Sequence, residues 1–261
     1  MKRRTFGILG AALLAAGALA PLAARADALD DVMKKKLIRI AVPQDFPPFG
    51  SVGTDLKPLG LDIDVAEMIA RDLGVKLELV PVSSANRIPY LQTGKVEAII
   101  SSLGKNPERE KTIDFSKAYA PFFNGVFGPA DVKVSKIEDV GARTMGVTRG
   151  SVEDIEISKL LPSGNIKRYE DNNSTISAFL SGQVELIATG NVVAAAIIAR
   201  NPPRKPETKF LIKNSPCYIG IGKNEPKLMA KLDDIIDKAR ADGRLDKIAQ
   251  KWLGQPLPKD L

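Results

Sequence analysis

The chain has 261 residues, 44% of them apolar and 26% charged, with one cysteine and no histidine. That length supports a packed core without staples, the lone thiol excludes an internal disulfide, and the lack of imidazole removes Ser/His and Cys/His catalysis and leaves no basis for a zinc site. Four of the 38 basic residues fall in residues 1–26, which hold no acid, leaving 34 basic against 31 acidic residues, a mildly basic surface without the stripe that nucleic acid requires.

Residues 1–26 carry the parts of a secretory signal peptide: Lys2-Arg3-Arg4, the Ala/Leu/Gly run Gly7–Leu22, and Ala24-Arg25-Ala26 before cleavage at Asp27. The apolar run is short for a membrane span. Arg3-Arg4 permits the twin-arginine route beside the general Sec route. The mature protein is therefore expected in a bacterial periplasm.

Leu37–Val42 predicts a buried strand that runs into Pro43–Phe49, where the prolines forbid helix and hold a stiff loop carrying Phe46 and Phe49. That loop reads either as a core-capping turn or as an aromatic wall over a ligand. From Gly60, the residues Val65, Ile69 and Leu73 recur at helical spacing, with Asp62 and Asp64 at the positive end of the helix dipole and Gly74 as the stop. Val75–Val82 alternates like a strand. Ser84 is the expected N-cap of the next helix, with Pro89 in its first turn and Gly94 at its end. Arg87 stands against that helix's dipole, so either it is solvated or it has another partner.

The segment Glu97–Tyr119 is the most suggestive. A strand, Ala98–Ile100, breaks into Ser101, Ser102 and Gly104, and Arg109 follows. Small residues after a strand let backbone amides approach a ligand, and an arginine beyond them can hold a carboxylate through two parallel hydrogen bonds.

Ala120–Pro129 reads as an apolar strand crossing to a second body. There Thr144–Thr148 is a strand, Arg149-Gly150-Ser151 a turn, and Val152–Leu161 a helix capped by Ser151 with Glu153 and Asp154 in its first turn, whose free amides could receive an anion. Strand and helix alternate through Asn165–Tyr169, Ser174–Leu180, Val184–Thr189 and Val192–Ala199. Lys209–Ile212 and Cys217–Gly222 return the chain to two C-terminal helices, Pro226–Asp242 and Leu245–Trp252. The expected class is α/β in two lobes, with lobe 1 formed by residues 27–124 and 217–261 and lobe 2 by residues 125–216.

Over residues 37–255 the chain resembles the family 3 extracellular solute-binding proteins, periplasmic receptors of polar amino-acid ABC importers. The resemblance rests first on Gly60-Leu61-Asp62-Ile63-Asp64-Val65, then on Asp45-Phe46-Pro47-Pro48-Phe49, Asn106-Pro107-Glu108-Arg109, Asp114-Phe115-Ser116 with Tyr119, and Gly146-Val147 leading to Gly150-Ser151. It implies a periplasmic-binding-protein fold in which two crossing strands form a hinge and the lobes close over a ligand. Arg109 stands at the family's carboxylate-binding arginine, Ser101 and Ser102 at its cleft-lining small residues, Phe46 at its ligand-packing aromatic, and Ser151 with Val152 at its second-lobe helix start. Gly104 replaces a common Ser or Thr. Ser84 and Arg87 resemble the glutamate/aspartate-binding branch.

One departure stands out. The second-lobe acid that holds an amino acid's ammonium is here Gly190 or Asn191, and Asn191 can accept a hydrogen bond but brings no charge. The resemblance thus implies a ligand-binding rather than catalytic protein, without cofactor or metal. Its partners would be a small carboxylate-bearing ligand and an inner-membrane ABC permease, and it would act as a monomer. The favoured ligand is an acidic amino acid such as glutamate or aspartate. The alternatives are a small dicarboxylate lacking an amine, or a periplasmic dehydratase on the same scaffold, which would need a cleft acid or base that the sequence does not single out.

Overall fold

Two five-stranded sheets, each flanked by helices, account for the alternation of apolar and amphipathic runs. The computed structural model describes residues 27–261; the stretch read as a signal peptide lies outside the described residues. In chain order come α1 (Ala28–Lys35), β1 (Leu37–Val42), the short β2 (Asp45–Phe46), β3 (Gly50–Val52) and β4 (Pro58–Leu59), then α2 (Leu61–Leu73), β5 (Lys76–Pro81), α3 (Arg87–Gln92), β6 (Ala98–Gly104), α4 (Pro107–Glu110) and β7 (Ile113–Ala120). The second half continues with β8 (Phe123–Gly128), β9 (Met145–Thr148), α5 (Val152–Leu160), β10 (Ile166–Tyr169), α6 (Asn172–Leu180), β11 (Leu186–Gly190), α7 (Asn191–Ala199) and β12 (Glu207–Asn214). It closes with β13 (Cys217–Gly222), α8 (Pro226–Ala241) and α9 (Arg244–Leu253). Among the described residues no helix is long and apolar enough to cross a membrane.

The sheets share one plan. The first has the order β5-β1-β6-β13-β7 and the second β10-β9-β11-β8-β12. In each, four strands run the same way and one, β13 in the first sheet and β8 in the second, runs antiparallel between its two neighbours. The apolar runs Leu37–Val42 and Ala98–Ile100 lie in the middle of the first sheet, which explains why they do not alternate: both of their faces are covered.

The chain passes between the sheets twice, and the first passage differs from the expected crossing strand Ala120–Pro129. β7 ends at Ala120 and β8 starts at Phe123, because Pro121 offers no N–H to a ladder; β12 and β13 are separated likewise at Ser215-Pro216. The two breaks lie side by side, with the Ser215 amide donating to the Phe122 carbonyl at 2.9 Å.

Helix α2 forms as its pattern predicts and buries Val65, Ile69 and Leu73 in the largest core cluster. Its N-cap is Gly60, at φ +144°, where a Cβ would meet the Phe49 carbonyl oxygen at 2.2 Å, so only glycine fits. Asp62 in its first turn is fully buried. Its carboxyl accepts from the Tyr119 hydroxyl and the Ser102 amide, both at 2.7 Å. The second bond holds Ser102 in the left-handed region at φ +41°, a conformation that costs a non-glycine residue roughly 1–2 kcal/mol.

Burial pushes the Asp62 carboxyl up to about 7, against the two donors and the Arg87 charge, all of which favour the carboxylate. Between its ordinary value of 3.8 and about 7 the folded state keeps a proton that the unfolded chain has released. Asp62 therefore contributes stability that declines as pH rises through this window and is level above it. Urea unfolding of the wild type and Asp62→Asn across pH 4–8 should show the stability difference moving against the wild type as pH increases to about 7. A difference that stays constant, or grows in favour of the wild type, would count against a protonated Asp62.

Candidate functional site

The cleft forms where the ends of the parallel strands in the two sheets face each other across the paired crossings. From the first lobe, Phe46, Ser84, Arg87, Ser102 and Gly104 line it. From the second come Thr148, Ser151, Val152, Glu153, Asn172 and Thr189, while Phe122, Asn124 and Ser215 belong to the crossings. Three contacts draw the lobes together. The Asp45 carboxylate accepts from the Asn172 amide at 2.6 Å, at the start of α6; the Arg109 guanidinium donates to the Gly150 carbonyl at 2.9 Å; and Lys159 meets Glu108 at 2.9 Å.

The two expected arginines are both buried, each about 5% exposed. Arg87 donates from Nη1 to the Ser101 carbonyl at 2.6 Å and from Nε to the Ser84 carbonyl at 3.2 Å. Arg109 donates from Nη1 to the Gly104 carbonyl at 2.6 Å, and its backbone amide is held by the Asn106 side chain, the N-cap of α4. Among the described residues neither guanidinium has a carboxylate within ion-pair distance. Burial lowers Arg87 from its ordinary value, opposed by Glu153 and then Asp62. Burial first and the Arg87 charge second push Arg109 down to about 9, with Glu153 opposing, which leaves Arg109 a cation at neutral pH.

Most of the predicted residues converge on this cleft. Arg109 lines an adjoining groove with Ser84, Arg87 and Gly150 rather than the main cavity, and Ser101 contributes its carbonyl to Arg87. Ser151 caps α5 as expected, accepting from the Asp154 amide at 3.1 Å. Ser84 does not cap a helix with its side chain: it opens a single 3₁₀ turn, Ser84–Asn86, ahead of α3. Asn191 is not brought to the cleft. Its side-chain oxygen accepts from the Phe123 amide at 3.2 Å and ties the start of α7 to a crossing strand.

Both glycine departures have a physical reason. A Cβ on Gly104 would stand 2.3 Å from the Ser215 Oγ, so a hydroxyl from the second crossing occupies the room of the missing Ser or Thr side chain. A Cβ on Gly190 would stand 2.2 Å from Phe122, whose ring packs with Phe46 and Phe49 at centroid distances of 6.0 and 5.4 Å. An acid at position 190 has no space beside that aromatic trio.

Several lining groups escaped the sequence reading. Asn124 had a readable signal, being the one amide in the apolar run Ala120–Pro129. Glu153 had none beyond its favourable place in the first turn of α5, which suits any acid. It is 5% exposed and accepts from the Asn124 side-chain nitrogen at 2.7 Å, a cleft carboxylate that the sequence had not singled out.

Gly190→Asp should destabilise the protein by about 2 kcal/mol or more, through overpacking against Phe122 and burial of a charge. Adding Phe122→Ala should recover part of the loss in urea unfolding. Wild-type stability in the single variant would mean that the Phe122 ring does not close this position.

The comparisons with known proteins agree with this architecture. Residues 38–255 match the model of the bacterial extracellular solute-binding proteins, family 3. The ABC transporter glutamine-binding protein GlnH of Bacillus subtilis is 28% identical over 199 residues, covering 74% of this chain and 72% of the relative. A mutant of ArgBP from T. maritima superimposes with a TM-score of 0.82 at 26% identity, covering 87% of this chain and 100% of that one. The ancestral amino acid-binding protein AncCDT-1, described as a precursor of cyclohexadienyl dehydratase, gives a TM-score of 0.79 at 28% identity over 86% of this chain and 99% of its own. With two lobes, paired crossings and a family match over nearly the whole described chain, this protein belongs to the bacterial extracellular solute-binding proteins, family 3.

Proposed function

We propose that this protein is the periplasmic substrate-binding component of an ABC importer and that its ligand is a polar amino acid, with an acidic one such as glutamate or aspartate preferred. The observation that carries the reading is the burial of two guanidinium groups, Arg87 in the cleft and Arg109 in the groove that adjoins it, with only backbone carbonyls as hydrogen-bond partners. Buried cations without a counter-charge are costly, and a ligand carboxylate relieves that cost. One cleft carboxylate, Glu153, opposes the two guanidiniums, while Asp62 is held toward neutrality by burial. The remaining positive excess favours a ligand of net negative charge. GlnH is described as glutamine-binding and AncCDT-1 as amino acid-binding, so the common element is the amino-acid backbone and the acidic preference rests on this chain's own charge balance.

Capture without chemistry follows from the hinge. The lobes part, a ligand enters against the first-lobe arginines, and closure brings the start of α5 onto it; the closed form then presents its surface to the permease. A dehydratase on this scaffold is the second reading. It is favoured by Glu153, which supplies a cleft carboxylate suited to proton transfer, and by the likeness to a dehydratase precursor. Turnover of prephenate or arogenate by the purified protein would establish it.

A thermal-shift panel of amino acids and small dicarboxylates should single out an acidic amino acid, raising Tm by roughly 5–10 °C at one hundred times its Kd. In calorimetry, Arg109→Ala should weaken that ligand roughly 30- to several-thousand-fold, the loss of about 2–5 kcal/mol for a truncated buried charge pair. Undiminished binding by Arg109→Ala would overturn its assignment, and a panel won by a neutral or basic amino acid would overturn the acidic preference.

A further inference from the structure

We infer that Glu153, Asn124 and Ser215 form an ammonium-receiving subsite in this cleft. The inference rests on the reading of the cleft as an amino-acid site and specifies how the amine of such a ligand is held.

The cleft separates hydrogen-bond donors from acceptors. Arg87 and Arg109 are donors only. Glu153, Asn124 and Ser215 line the same cavity and are buried to 5%, 1% and 4% exposure. Asn124 must turn its Nδ2 to the Glu153 Oε1, at 2.7 Å, since the reverse orientation would set two oxygens against each other. That choice leaves the Asn124 Oδ1 buried with no hydrogen-bond partner, and the Ser215 Oγ is in the same condition. A buried polar atom without a partner destabilises the protein until something supplies one. The other two such side-chain atoms among the described residues, Asn106 Nδ2 and Arg204 Nε, are donors and do not line this cavity.

An ammonium group carries three N–H donors and one positive charge. A carboxylate, an amide oxygen and a hydroxyl oxygen converging in one cavity offer it three acceptors and one negative charge. The position at the end of β11 is shut by the Phe122 ring, which lies 2.2 Å from where a Cβ on Gly190 would be. A zwitterion can therefore set its carboxylate toward the arginines and its ammonium toward Glu153. A dicarboxylate without an amine would leave the acceptor side unmatched and would bring a second negative charge toward Glu153.

Calorimetry of the full mature chain with L-glutamate against glutarate, L-aspartate against succinate and L-glutamine against glutaramate tests this directly. The amine-bearing member of the pair that binds should be favoured roughly ten- to hundredfold, and Glu153→Gln should reduce that preference to within a few-fold while leaving glutarate or succinate no weaker. Arg109→Ala should weaken both members of a pair alike. Equal binding of the two members by the wild type would overturn the subsite without touching the carboxylate site, and this comparison needs no variant to fold. If an amine preference persists in Glu153→Gln, the subsite is likewise overturned. If neither these ligands nor any other proteinogenic amino acid binds, the amino-acid reading itself fails and the subsite with it.

Discussion

The hydrogen bond from the Ser215 amide to the Phe122 carbonyl, at 2.9 Å, joins the two places where the chain leaves one sheet for the other. Each is broken by a proline, Pro121 or Pro216, which cannot donate to a ladder and so ends one strand before the next begins. Two sheets of the same plan can then sit as separate bodies on a short paired link. The cleft takes its place from that link: Arg87 and Ser102 line it from the first lobe, the starts of α5 and α6 from the second. Such a link is also a natural hinge, because few backbone torsions need to change for the lobes to part.

Charge decides what this cleft tolerates. Arg87 and Arg109 are buried close enough for the Arg87 charge to help lower Arg109. The stabilising response is distributed. Backbone carbonyls accept from both guanidiniums, Glu153 offers an opposing charge, and Asp62 fixes the Ser102 amide at the cleft floor. Cys217, beside them in β13, takes no part, since burial pushes its thiol well above the ordinary range.

The two-lobed α/β fold was legible because it depends on periodicity and on chain order, both local properties. Helix α2, the Ser151 cap and the strand before Arg109 stand where their patterns put them. The break at Pro121 is not legible in Ala120–Pro129, because the apolar residues are continuous across the proline. Arg109 and Arg87 could be found because a cation beside small residues, or against a helix dipole, is locally odd. Glu153 is locally ordinary, and only the three-dimensional approach of α5 to Asn124 gives it meaning. Asn191 failed for the converse reason. It stood in the right place along the chain, yet its nearest unmet donor was the Phe123 amide, away from the cleft.

Side chains from the crossings fill the room at the two glycine positions. Phe122 over Gly190, and Ser215 over Gly104, are pairs in which each member fixes what the other can be. An acid at position 190 does not fit while the ring remains, and removing the ring opens a void beside Phe46 and Phe49. Because Phe122 and Ser215 sit on the crossings, what positions 104 and 190 can hold is tied to the segments that join the two halves of the protein.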